Sequence, residues 1–151
     1  MIHPLFIKVI LMTNLLHFQE KVESNRHSID DVSSMIRFCL VNTDVAHDVM
    51  RIISYNNIDP DPYFQLIKSV TAINMPQSAR IFALTILSRT KDRKAEVTNM
   101  LVNIISDATE DILVQLTSIR LLNSIGKKTL RDSSYIRSMV LDETVHPDIR
   151  H

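Results

Sequence analysis

The chain has 151 residues, enough for one domain with a substantial core and short for two. Its 45% apolar and 23% charged residues indicate a folded chain, and a single glycine disfavours a sheet with many tight turns. Equal numbers of basic and acidic residues, 17 of each, leave no overall field to hold nucleic acid or an anionic membrane. The composition therefore favours a helical fold.

Residues 1–26 are predicted to form an N-terminal packing helix. Pro4 suits the first turn of a helix. Five apolar residues fall roughly on one face of it: Phe6, Val9, Ile10, Leu16 and Val22. Lys8 and Thr13 interrupt the apolar run before it reaches the roughly 20 residues that a membrane span needs. We therefore expect a helix that packs against the rest of the fold and no membrane span.

Three segments of nine residues share one apolar pattern, with an apolar or small residue at the first, fifth and ninth positions. The segments are Val45–Ile53, Ala79–Leu87 and Val114–Leu122. Their second residues, which we call the anchors, are Ala46, Arg80 and Gln115, and they lie 34 and 35 residues apart. A further step of 35 reaches Arg150. The chain therefore contains an internal repeat.

Aliphatic pairs precede every anchor by fourteen and ten positions. The pairs are Val32 and Ile36, Leu66 and Val70, Leu101 and Ile105, and Ile136 and Val140. A spacing of four puts both members on one face of a helix. Polar or proline-containing turns separate these helices from the anchor helices. Each unit is therefore predicted to be a first helix, a short turn, a second helix and a linker.

The repeat predicts an all-α fold, a right-handed α-solenoid of stacked helical hairpins with a period of about 34–35 residues. The predicted units are 28–57, 62–91 and 95–128, followed by an incomplete fourth unit at 132–151. One hairpin cannot bury its apolar face alone, whereas stacked hairpins build a continuous core. From the incomplete unit we expect either a longer protein or another subunit covering this end.

The second helices resemble HEAT or armadillo-like repeats, above all in "PQSARIFALTIL" and the closing "HPDIR". In that family the second helix typically opens with Val-Arg and continues with Ala and Leu at this spacing. The resemblance covers about residues 28–151 and implies a concave, partner-binding surface lined by second helices. Ala46 and Gln115 depart from the basic anchor of the family, and the "INMPQ" turn lacks its aspartate.

Candidate catalytic groups are sparse along the chain. The closing segment has the spacing H-x-D-x-x-H at His146, Asp148 and His151, without the paired cysteine or further carboxylate that would support a metal site. Asp59 and Asp61 precede a predicted helix, where carboxylates commonly cap the helix start. The sequence has no glycine-rich phosphate loop or nucleophile motif. We therefore expect no enzymatic activity, no metal and no cofactor.

The single cysteine, Cys39, lies in the apolar run MIRFCLV and is expected to be a small buried hydrophobic residue. One cysteine cannot form an internal disulfide, which suits a reducing compartment. We therefore expect an intracellular protein of the cytoplasm or the nucleus.

One candidate binding surface lies on the second helices, opposite their buried face. Positions five and nine beyond the anchors carry several Arg and Tyr residues, which are favoured at interface hot spots. We call this set the Arg/Tyr column: Arg51, Tyr55, Arg89 and Arg120. It predicts a non-enzymatic scaffold or adaptor that binds another protein through an acidic, helical or extended segment.

A second candidate surface lies in the linkers. Five basic residues gather there and form what we call the basic edge: Lys91, Arg93, Lys94, Lys127 and Lys128. Bases near helix ends are what the helix dipole favours, but a basic edge can also bind RNA phosphates. Net neutrality and few aromatic residues for base stacking count against this alternative. Nucleic-acid binding is therefore the second hypothesis.

Overall fold

The structure, a computed structural model, describes residues 3–132, which form a helical fold without strands. Seven α-helices occupy this part of the chain: α1 (Pro4–Glu23), α2 (Ile29–Val41), α3 (Ala46–Tyr55), α4 (Phe64–Val70), α5 (Gln77–Leu87), α6 (Lys94–Ser106) and α7 (Ile112–Asp132). The predicted all-α class is confirmed. The predicted fourth unit lies outside the described residues apart from Asp132, as do His146, Asp148 and His151.

Side chains cap the starts of α2 and α7. At α2, Ser28 accepts a hydrogen bond from the Asp31 amide at 3.1 Å, and the Asp31 carboxylate accepts one from the Ser28 amide at 2.9 Å. At α7, the Asp111 carboxylate accepts hydrogen bonds from the amides of Leu113 and Val114. These bonds satisfy amides that have no partner within their own helix. Polar residues before α2 and α7 thereby define where these two helices begin.

Helices pack within the predicted units and between them. Within units, α2 packs against α3, α4 against α5 and α6 against α7. Between units, α3 packs against α5 and α5 against α7, and we call these three helices the second-helix layer. On the other side α2 packs against α4, and Lys68 of α4 is 2.9 Å from Glu96 of α6. At the N-terminal end, α1 packs against α3 and α2.

Matching positions of the three units bury their side chains. The first position of the nine-residue pattern is buried in every unit, and so is the fifth, occupied by Val49, Ala83 and Ser118. The ninth is fully buried in two units and half-buried at Leu122. Burial therefore recurs at intervals of 34 to 35 residues. The apolar pattern of the sequence correctly identifies the core face of α3, α5 and α7.

The packing face of α1 differs from the prediction. Of the five residues expected on that face, Val22 alone is buried, whereas Phe6, Val9, Ile10 and Leu16 are exposed. The residues that pack are spaced by four, three and four positions: Leu11, Leu15, Phe18 and Val22. The prediction was wrong because α1 is apolar on most sides, so composition alone does not select the face that meets α3.

A buried ion pair ties two units together. The Arg80 guanidinium, on α5, donates hydrogen bonds of 2.8 Å to both carboxylate oxygens of Glu110, in the turn before α7. Both side chains are less than 10% exposed. Arg80 Nε also donates to the Thr71 carbonyl oxygen at 3.0 Å, in the turn before α5. Beside this pair, Gln77 donates to the Asp111 carboxylate at 2.9 Å.

Gln115 occupies the anchor position of the following unit and repeats part of this pattern. Its Nε2 amide donates to the Asp107 carbonyl oxygen at 2.6 Å and lies 3.3 Å from the carbonyl oxygens of Ile104 and Ile105. Arg80 and Gln115 therefore each bind the carbonyl groups that end the first helix of their own unit. The Arg80 guanidinium is longer and also reaches the next unit.

The linkers between units are joined by hydrogen bonds as well. The Asp61 carboxylate accepts a short hydrogen bond from the Thr90 hydroxyl and another from the Lys91 amide at 3.2 Å. The same Thr90 oxygen accepts from the Arg93 amide at 3.1 Å. The Thr90 hydroxyl lowers the pKa of Asp61. Asp59 accepts from the Asp61 amide at 3.0 Å, and no side chain caps α4, so the helix-capping role expected for these two carboxylates was wrong.

The helix α7 is longer than the sequence indicates. The segment that begins at Gly126 has the glycine and polar residues of a linker, yet α7 continues to Asp132. A methyl group added at Gly126 would have no heavy atom within 4 Å, so this glycine serves no close contact. Glycine alone is a weak helix breaker when the flanking residues favour helix.

We expect Glu110→Gln to destabilise the protein strongly. The substitution leaves the Arg80 cation buried without its counter-charge, a loss of about 3 kcal/mol in the free energy of unfolding. Chemical denaturation measures it. Glu96→Gln is the matched control, because the Lys68–Glu96 pair also joins two units but is about 40% exposed. An exposed pair contributes at most about 1 kcal/mol. Equal losses from both variants would contradict the structural importance of the buried pair.

The effect of Glu110→Gln should also depend on pH. Hydrogen bonding from Arg80 holds the pKa of Glu110 below its usual range. The carboxylate therefore stabilises the fold above its unfolded-state pKa of about 4.3, and this contribution is lost as the pH falls through the lower folded-state pKa. The stability difference between wild type and variant should be constant near neutral pH and shrink below about pH 4. A constant difference down to acid pH would contradict the assignment.

We expect Gly126→Ala to stabilise the protein by about 0.5–1 kcal/mol, because alanine favours helix and its methyl group meets open space. Gly126→Pro should instead destabilise it by about 3 kcal/mol. Thermal unfolding of the two variants checks both expectations. If alanine gives no gain and proline is tolerated, residue 126 lies in a linker as the sequence first indicated.

Candidate protein-interaction surface

The Arg/Tyr column lies on the second-helix layer. Arg51 and Tyr55 belong to α3, Arg89 lies in the turn just after α5, and Arg120 belongs to α7. Tyr55 is 68% exposed, whereas the Arg51 side chain is about one third exposed. Arg120 is exposed beside an open groove on α7. The four residues are therefore spread along the layer and have different environments.

An aromatic cluster holds Tyr55 in place. The Phe82 ring, from α5, meets the Tyr55 ring edge to face at a centroid distance of 6.1 Å. His47 packs on the same Phe82 ring at 5.3 Å, and its Nδ1 is buried without a hydrogen-bond partner among the described residues. His47, Arg51 and Tyr55 follow one another at intervals of four on α3. We call these three residues and Phe82 the α3–α5 patch.

Sequence reasoning missed Phe82 and His47 as parts of this patch. Phe82 stands at a position where the other units have Asp48 and Thr117. An aromatic residue at a position that is polar in the other units is the available signal. Such a residue indicates a contact outside the core that the units share.

Arg51 forms a single weak ion pair. Its Nη2 lies 3.6 Å from an Asp48 carboxylate oxygen, one turn away on α3. The planar guanidinium has five N–H donors. Donors therefore remain for a further acceptor next to the Tyr55 ring.

Arg89 is engaged within the fold. Its guanidinium donates to the Ser54 carbonyl oxygen at 2.8 Å and lies 3.2 Å from the Ser54 hydroxyl. Ser54 belongs to the last turn of α3, where unpaired carbonyl groups and the negative end of the helix dipole favour a cation. Arg89, which is itself exposed, therefore joins the C-terminal end of α3 to the turn that follows α5. Among the predicted contact residues, Arg51, Tyr55 and Arg120 remain available.

The basic edge is divided between two environments. Arg93 stacks over the Phe64 ring at 4.8 Å and lies 3.6 Å from Glu96. Lys91 in the linker and Lys94 at the start of α6 are exposed, and the acidic residues Asp61, Asp92 and Glu96 lie close to them in space or sequence. Lys127 and Lys128 lie inside α7 and not in a linker. The basic edge is therefore a surface of mixed charge.

The surface of α7 also exposes apolar side chains that the sequence pattern did not identify. Ile112, Leu116 and Ile119 lie on one face and are between 42% and 65% exposed. Ile119 occupies the position that Met50 and Leu84 occupy in the earlier units, where both are buried. The repeat therefore predicts a buried Ile119, and its exposure coincides with the end of the layer in the described residues.

Groups with catalytic potential are few in residues 3–132. Cys39 is buried as expected, and burial raises the pKa of its thiol to about 12. This part of the chain has no cluster of three His, Cys, Asp or Glu residues able to hold a metal ion. No helix described here combines the length and apolar content needed to cross a bilayer.

No protein-family model matches the chain, and neither the search of curated proteins nor the search of solved structures gives a significant match. The resemblance of the second helices to HEAT or armadillo-like repeats therefore stays a prediction.

Proposed function

We propose that the chain is a right-handed α-solenoid segment that binds another protein through the α3–α5 patch. The recurrence of buried positions every 34 to 35 residues supports the solenoid. So do Arg80 and Gln115, which make matching bonds in successive units. The proposal includes no chemical reaction.

The observation that carries the binding function is the state of Tyr55. Its ring is 68% exposed, yet Phe82 holds it edge to face and Arg89 fixes the adjacent end of α3. An exposed aromatic side chain that is already ordered loses little conformational entropy on binding. Tyr and Arg are also the residue types that dominate interface energies. A fixed Tyr55 beside Arg51 is therefore well suited to anchor a partner.

The proposed partner presents an acidic segment, helical or extended. Arg51 and Arg120 offer cationic groups on one layer, and Asp48 balances Arg51 only in part because the two groups are 3.6 Å apart. A carboxylate of the partner would accept from the free Arg51 donors while an apolar group packs on Tyr55 and Phe82. Arg89 has no part in this contact.

The nucleic-acid alternative has less support in the structure. Lys91, Arg93 and Lys94 are close in sequence to Asp92, and Asp61 and Glu96 contact the same segment. Their positive charge is therefore balanced locally, and within residues 3–132 no aromatic ring stands exposed beside them for base stacking.

Selection of phage-displayed random peptides on the immobilised chain tests the proposal. Enriched peptides should be acidic with an apolar or aromatic residue. Arg51→Ala/Tyr55→Ala should weaken their binding about tenfold or more without loss of helicity. Arg37→Ala is the matched control, because Arg37 is exposed on the first helix α2.

Equal binding of the selected peptides to wild type and Arg51→Ala/Tyr55→Ala would contradict the patch. A parallel titration with single-stranded RNA at low salt addresses the alternative. RNA binding that is lost in Lys91→Glu/Lys94→Glu would replace the protein partner with RNA.

A further inference from the structure

Both ends of the second-helix layer expose an apolar stripe. At one end α1 packs against α3, and its far side presents four apolar residues that are each more than half exposed: Leu5, Val9, Met12 and Leu16. We call these the α1 stripe. At the other end α7 packs against α5 and exposes the α7 stripe: Ile112, Leu116 and Ile119. Exposed apolar patches commonly mark interaction sites, and these two stripes could pack against each other in different copies of the chain.

The α7 stripe lies at the position where, in the earlier units, the next second helix packs. Met50 of α3 and Leu84 of α5 are buried in a layer where a following second helix packs against each of these helices. Ile119 stands at the same position of α7 and is 42% exposed. A groove beside it is lined by Leu116, Arg120 and Lys127, among others. The occupant that fits this place is another helix running along α7.

The two stripes match in spacing. Each helix carries a line of residues at positions i, i+4, i+7, i+11 and i+15. On α1 the line is Leu5, Val9, Met12, Leu16 and Glu20, and on α7 it is Ile112, Leu116, Ile119, Asn123 and Lys127. When the two helices are placed side by side in parallel, the first three residues of each line form apolar pairs. The Glu20 carboxylate then faces the Lys127 ammonium group. Neither charge belongs to an ion pair among the described residues.

We infer that α1 of one copy docks in parallel along α7 of a second copy, so that the chains associate head to tail. Antiparallel docking would set Glu20 against Ile112. Two α1 helices in parallel would set Glu20 against Glu20. The helices α3 and α5 are also parallel within the layer, since Arg89, just after the end of α5, reaches Ser54 in the last turn of α3. Charge and spacing therefore select one orientation.

A contact of this type joins two different surfaces and does not close on itself. Every added copy leaves one α1 stripe and one α7 stripe free, so the oligomers should grow with concentration. The inference does not rest on the proposed function, because the α3–α5 patch takes no part in the contact.

Two blocked variants test the inference by analytical ultracentrifugation. Val9→Glu/Met12→Glu blocks the α1 stripe, and Leu116→Glu/Ile119→Glu blocks the α7 stripe. All four residues are exposed, and circular dichroism checks that both variants fold. Each variant alone should be monomeric, whereas wild type shows mass growing with concentration. An equimolar mixture of the variants should form a dimer and nothing larger, because it contains one intact pair of stripes.

A charge exchange tests the orientation. Glu20→Lys and Lys127→Glu should each weaken association roughly fivefold, and the double variant should restore it. Lys128→Glu is the matched control, because it makes the same charge change one residue away, outside the α7 stripe. Failure of the double variant to restore association would overturn the parallel arrangement.

Three further results would overturn the inference. The first is a wild-type chain that stays monomeric at all concentrations. The second is self-association of the α7-blocked variant, which would indicate pairing between two α1 helices. The third is a monomer that binds phosphatidylcholine and phosphatidylglycerol vesicles through α1 and loses this binding in Val9→Glu/Met12→Glu. That result would assign the α1 stripe to a lipid surface.

Discussion

The buried ion pair between Arg80 and Glu110 is the interaction on which the arrangement of the helices depends. Taking two charges out of water is costly, and the cost is offset only when both ends are fully hydrogen-bonded. Here two guanidinium bonds reach both carboxylate oxygens, and a third reaches the Thr71 carbonyl. Any rotation of α5 relative to the turn before α7 would break this set. The pair therefore fixes the register of two neighbouring units.

The surface features follow from that fixed register. With α5 held, Arg89 reaches the end of α3 and Phe82 lies against Tyr55. Each contact joins residues of two neighbouring units, so small differences between units acquire separate roles. The polar anchor holds the turns, the arginine near the helix end holds the C-termini, and the aromatic pair faces outward. The layer is thus a rigid support for side chains that differ from the repeat.

Much of the helical architecture was predictable because buried positions recur every 34 to 35 residues along the chain. The nine-residue pattern identified the core positions of α3, α5 and α7, and the polar turns marked most helix ends. The partner of Arg80 was not predictable, since Glu110 lies in another unit and its approach depends on how helices cross. The packing face of α1 failed because that helix is apolar on most sides. At Gly126 the flanking helix formers outweighed a glycine that suggested a linker.

The roles of surface residues were harder to predict from the sequence than the positions of core residues. Arg89 was expected to face a partner, but its charge is used at the end of α3, which becomes visible only when α3 and α5 are placed side by side. Conversely, Ile119 has a core pattern and an exposed side chain because the layer ends at α7 in the described residues. Periodicity reports what a position does in an average unit. It does not report which unit lacks a neighbour.

A double-mutant cycle between Arg80 and Glu110 tests most directly whether this pair couples the units. The free energy of unfolding would be measured for Arg80→Met, for Glu110→Gln and for the double variant. The structure predicts a coupling energy of about 2 kcal/mol or more, with the double variant much less destabilised than the sum of the single variants. Additive losses would show that the two side chains act independently and would contradict the fixed register between the units.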